Sequence, residues 1–143
     1  MTIPPGLRGR AHGVRRFRSR RSSRELCASF EVAGARCFVL DLRGVTDRAA
    51  LIARWGAAID APAYLGHTWD ALDEVMRDLS WARSDRYVMI LTGVGELTRA
   101  DPGVWRHALM VLADAASSWQ ERGVPMLVLV RGAPVDAPPP VIA

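Results

Sequence analysis

Residues 62 to 79 read Pro-Ala-Tyr-Leu-Gly-His-Thr-Trp-Asp-Ala-Leu-Asp-Glu-Val-Met-Arg-Asp-Leu, which places four carboxylates, Asp70, Asp73, Glu74 and Asp78, close to Tyr64, His67 and Trp69. Two kinds of chemistry suit such a group. His67, Asp70 and Glu74 can converge as an acid/base or metal site, since Asp70 and Glu74 stand one helical turn apart and His67 just precedes them. Nothing elsewhere in the sequence supplies a second cluster to complete it, so no catalytic residue, metal or cofactor is expected. The other chemistry is recognition. Carboxylates three and four apart on a helix repel by about 0.2–0.5 kcal/mol per pair, and only Arg77 offsets them locally. A helix that keeps this repulsion beside two aromatics suits a cationic partner, to which the rings add contact area. A purely structural account competes: acids in the first turns complement the helix dipole, and Thr68 is an N-cap.

Most other signatures are missing. There is no phosphate-binding Gly-Lys-Ser/Thr loop, Thr92-Gly93-Val94-Gly95 lacks the third glycine of a dinucleotide fingerprint, and no cysteine pair has metal spacing. Cys27 and Cys37 cannot define a disulfide framework and are expected to be reduced. Of the five tryptophans, Trp69 and Trp81 flank the acidic helix as contact candidates, and Trp55, Trp105 and Trp119 read as core.

The elements that must position this stretch follow from periodicity. A strand is expected at 37–42, followed by a helix capped by Thr46 with Leu51, Ile52, Trp55 and Ile59 inward. Pro62 and Gly66 break the chain before the acidic helix of about 68–80, whose inward stripe is Trp69, Leu72, Met76 and Leu79. A second strand at 87–92 leads into a loop over 93–100, and Asp101-Pro102 then starts a long helix. Its inward residues are Trp105, Ala108, Leu109, Leu112, Ala116 and Trp119; Gly123 ends it, and 124–130 is the third strand. Continuously apolar strands alternating with helices indicate a small α/β domain with a three-stranded parallel sheet, in the order β-α-α-β-α-β.

The chain's 143 residues, 50% hydrophobic and 24% charged, suit one such domain, placed at residues 30–131. The net charge of +4 is unevenly spread. Residues 1–29 carry eight arginines against Glu25, for +7, and the remainder is −3. That first segment reads as a basic flexible arm, dispensable for folding and capable of weak phosphate contact with nucleic acid. Residues 132–143 read as a Pro-rich flexible tail. No apolar run suits a signal peptide or membrane span, so a cytoplasmic protein is expected; a monomer is expected as well.

The run Pro62-x-Tyr64-x-Gly66-x-Thr68-x-Asp70-Ala71-Leu72-x-Glu74, set within this order of elements, resembles the barstar family of intracellular ribonuclease inhibitors. The resemblance implies a small α/β fold that plugs the active site of a small, basic, secreted bacterial ribonuclease with an acidic helix and its preceding loop. By position it makes Tyr64 the loop aromatic, Gly66 the turn glycine, and Asp70 and Glu74 the anchor acids; His67, Trp69 and Asp73 join them as partner contacts. Departures stand at Thr68, Leu65 and Asp73, at Glu74, which sits where the family typically has its central Asp, and at Ser118, near the place of a late-helix acid. Such an inhibitor would serve as the immunity protein of a toxin–antitoxin pair. Two alternatives remain: a nucleic-acid-associated protein acting through the Arg-rich arm, and a barstar-like scaffold for another basic protein.

Overall fold

A computed structural model describes residue 3 and residues 5–62 and 66–132. Within them lie β1 (Gly13–Phe17), α1 (Ser23–Val32), β2 (Arg36–Asp41), α2 (Arg48–Ala58), α3 (Trp69–Asp78), β3 (Tyr87–Thr92), α4 (Gly95–Ala100), α5 (Pro102–Glu121) and β4 (Met126–Arg131). Short 3-10 turns occupy Pro5–Leu7 and Ser80–Ala82. The strands form one all-parallel sheet in the order β1-β4-β3-β2.

The central strands β3 and β4 are buried along almost their whole length, as continuous Val, Ile, Leu and Met runs require when helices cover both faces. On one face, α2, α3 and α5 pack over Phe38, Leu40, Tyr87, Met89, Leu91, Met126 and Val128. Trp105, Val111, Leu112, Ala115, Ala116 and Trp119 form the buried stripe of α5, while Leu109 is only half-buried at its margin. Asp101 caps that helix by accepting from Val104 N, with Pro102 as its first residue. Asp47, not Thr46, caps α2, accepting from Ala50 N at 2.8 Å. Residues 95–100, expected as a loop, form α4, whose Leu97 is buried in the same core.

Two expectations are corrected here. The sheet has four strands rather than three, and the segment expected to be a flexible arm supplies the fourth. Gly13–Phe17 pairs with β4 in the register Gly13↔Leu127 to Phe17↔Arg131. Ser22 then caps α1, which covers the second face with Leu7, Phe17, Leu26 and Phe30 against Cys37, Val88, Ile90, Leu127 and Leu129. Guanidinium groups of the segment and of the body tie it down further through backbone carbonyls. Arg8 donates to Ile3 O, Arg10 to Gly123 O, Arg86 to Leu7 O, and Arg131 to the carbonyls of Ser19 and Arg21. The boundary at residue 30 falls inside α1. Gly132 apart, the expected C-terminal tail lies outside the described residues. Both cysteines are free thiols. Among the described residues, no helix is long and apolar enough to cross a membrane.

A segment that seals one face of the sheet is not dispensable. Removing residues 1–18 is expected to lower the denaturant midpoint clearly, and Phe30→Ala to cost about 3–5 kcal/mol by urea unfolding. An unchanged midpoint in the truncation would mean that β1 adds nothing to the core.

Candidate functional site

Helix α3 begins where Thr68, extended at φ −113° and ψ 157°, accepts a hydrogen bond from Ala71 N at 3.1 Å. It ends at Leu79, a buried residue in the left-handed conformation (φ 46°) whose N–H bonds Val75 O. Leu72, Val75 and Met76 form its buried side. Val75 was not in the expected stripe, and Trp69, which was, is only half-buried.

Three further contacts fix the helix from beneath. Trp55 donates to Met76 Sδ at 3.2 Å, Trp119 to Met76 O at 2.8 Å, and Arg122 to Arg77 O at 2.6 Å. Trp119 also stacks beneath the Arg122 guanidinium, 3.7 Å from the ring centre. At the other end Trp69 lies flat against His107 of α5, with centroids 4.1 Å apart and planes 11° from parallel. His107 therefore helps to orient a contact candidate. Trp81 is tied down, donating to Ile59 O at 2.8 Å.

The exposed side of α3 sorts its acids into two classes. Asp73 is ion-paired with Arg77 at 2.5 Å, and Asp78 accepts from Ser80 Oγ at 3.0 Å. Asp70 and Glu74 are exposed, and neither has a hydrogen-bond or ion-pair partner among the described residues. The helix thus offers two free carboxylates one turn apart on a rigid base, where its net charge is −3. With Asp73 committed to Arg77, its contribution as a contact is more screened than its position suggests.

Gly66 and His67 precede the helix. Gly66 does not occupy a conformation reserved for glycine, and a Cβ there would meet only Ala71 Cβ at 3.6 Å, an ordinary contact. His67 is exposed and, with Pro62, Gly66 and the Ile52, Gly56 and Ala57 face of α2, lines an open cleft of about 500 Å³. Tyr64 lies outside the described residues. His67, Asp70 and Glu74 do not assemble as a metal site; no group of three potential ligands does so among the described residues.

Sequence reasoning missed the basic corner beside these acids. Ser118, near the expected position of a late-helix acid, accepts from Arg122 at 3.3 Å, so a guanidinium stands where a carboxylate was sought. The signal was present: a cation four residues beyond Ser118 falls on the same helical side.

A family model described as Barstar (barnase inhibitor) matches residues 35–131. No curated protein and no solved structure matches the chain.

The two classes of acid should separate in thermal unfolding. Glu74→Ala is expected to leave the fold unchanged or firmer by about 0.2–0.5 kcal/mol, because repulsion from Asp70 and Asp78 is relieved. Thr68→Ala should weaken it by about 1 kcal/mol through the lost cap. A clear loss of stability in Glu74→Ala would show that this carboxylate has a structural partner.

Proposed function

The chain belongs to the barstar family, and from that premise we propose that it is a non-enzymatic inhibitor of a small, basic, barnase-like bacterial ribonuclease, acting in the cytoplasm as an immunity protein. Asp70 and Glu74 carry the reading: they alone among the acids of α3 are exposed and unpartnered, and the helix beneath them is held by buried contacts. A ribonuclease active site is cationic because it must bind the phosphates of RNA. Two carboxylates a helical turn apart can take the place of those phosphates and draw the enzyme in over distance. Because each acid is desolvated on docking, each needs a basic group on the nuclease.

Tyr64, Gly66, His67 and Trp69 frame these anchors as contacts, and the cleft beside His67 can receive a side chain of the partner. The screened Asp73 and the Arg122 corner set specificity, since a nuclease that places a cation opposite Arg122 is disfavoured. A free basic tail is not what residues 13–17 and 23–32 form, since they are strand and helix.

The test pairs unfolding with inhibition. Against a panel of small basic bacterial ribonucleases, one member should be inhibited stoichiometrically, and Glu74→Ala should weaken that complex by about 2 kcal/mol or more without loss of fold. Raising salt should slow association of the parent more than that of the Asp70→Ala/Glu74→Ala double variant. Full inhibition by the double variant would remove α3 as the binding surface. Capture of a basic protein that is not a nuclease, with no member of the panel inhibited, would favour the scaffold alternative.

A further inference from the structure

The carboxyl ends of the four strands open into a cleft of about 790 Å³ that the inhibitor reading does not use. It lies on the α1 side of the sheet, which is apolar for two rows and then changes character. Cys37, Val88 and Leu127 form one row and Val39, Ile90 and Leu129 the next; in the last, Asp41, Thr92, Arg131 and Phe17 follow one another across the strands. Phe17 is buried, while Asp41, Thr92 and Arg131 remain partly accessible at the floor of the cleft. The walls are the loop from β1 into α1 and the loop from β3 into α4. These leave the sheet toward opposite faces, a place where open parallel sheets form crevices for ligands.

The charge of the cleft is decided by arginine. Arg18, Arg24, Arg43 and Arg131 line it, and Asp41 is the only acid among the described lining residues, which gives them a net +3. Asp41 does not present an uncompensated negative charge to an anionic ligand, because Arg43 grips its carboxylate from Nε at 3.0–3.1 Å and from the terminal nitrogen at 2.7 Å. That bonding holds the Asp41 carboxyl below its ordinary range and keeps it ionised at neutral pH. Arg131 is pinned to Ser23 Oγ and two carbonyls and so fixes the rim. Arg18 and Arg24 are exposed and have no partner among the described residues.

Hydroxyls complete the lining. Ser19, Ser22 and Ser23 each accept one hydrogen bond, from Arg21 N, Glu25 N and Arg131, which leaves each O–H hydrogen free to donate. Gly93, at φ +67°, closes the opposite wall so tightly that a Cβ would meet Arg43 Cγ at 2.5 Å and Arg43 N at 2.8 Å. A net-cationic cleft whose free groups are guanidinium and hydroxyl donors matches phosphate oxygens, which guanidinium planes contact in pairs. Its volume suits a nucleotide-sized molecule.

We propose that this cleft binds a small phosphorylated ligand of nucleotide size, with Arg18 and Arg24 as its phosphate contacts and Arg131 as the fixed positive charge behind them. The site is independent of α3, which packs on the opposite face of the sheet.

The test uses the full chain in low-salt titrations with ADP and with inorganic pyrophosphate, followed by calorimetry and by amide NMR shifts. Saturable binding with Kd below about 1 mM is expected, with shifts at residues 18–24, 41–43 and 92–95. Arg18→Ala/Arg24→Ala should keep its unfolding midpoint, since neither side chain has a partner to lose, and bind ADP at least about tenfold more weakly. Asp70→Ala/Glu74→Ala should bind ADP as the parent does. Absence of saturation, or unchanged affinity in the arginine double variant, overturns the proposal. So does single-stranded RNA whose affinity rises with length and which ADP does not displace, since that would be a nucleic-acid surface and not a nucleotide cleft.

Discussion

Ten residues with four carboxylates and one arginine do not make a helix that holds itself in water, since short isolated helices are marginal and these charges repel. What holds α3 is its other side. Leu72, Val75 and Met76 are buried, and Met76 receives Trp55 at its sulfur and Trp119 at its carbonyl. Arg122 closes the last turn at Arg77 O. Burial of three side chains, each contributing about 1.5–3 kcal/mol, exceeds the repulsion several-fold, so the acids can stay unneutralised at the surface. A partner that supplies cations meets a helix already ordered, and little of its binding energy is lost to folding it.

The sheet that carries this helix also separates charge. From β1 the chain crosses to the far edge at β2 and then returns through β3 to β4. Right-handed crossovers in opposite directions put α1 on one face and α2, α3 and α5 on the other. The acidic surface therefore belongs to one side and the arginine-lined cleft to the other, and the +4 of the whole chain describes neither. The family match begins at residue 35, so β1 and α1 precede the matched segment yet complete the second layer of its core.

Much of this was legible in residue pattern. Residues 87–92 form a strand with the expected bounds, and Asp101-Pro102 opened α5 as anticipated. Asp70 and Glu74 proved to be the free pair on a helix expected from spacing alone. The N-terminal layer was obscured because arginine outweighs the period-two signal of a five-residue edge strand, whose pairing runs through backbone rather than side chains. A cue was available in Ser22 three residues ahead of Glu25, followed by Leu26 and Phe30 at helical spacing, the start signal of α1. The polar row Asp41-Thr92-Arg131 could not be read from sequence, because only the strand register aligns residues 51 and 39 positions apart.

Amide hydrogen exchange on the full chain, free and mixed in excess with each ribonuclease of the panel, tests the inhibitor assignment most directly. Occupation of the acidic helix should slow exchange across residues 66–78 and leave residues 18–24 unchanged. Protection confined to the 18–24 and 93–95 loops, with exchange at 66–78 unaltered in a saturated complex, would contradict it.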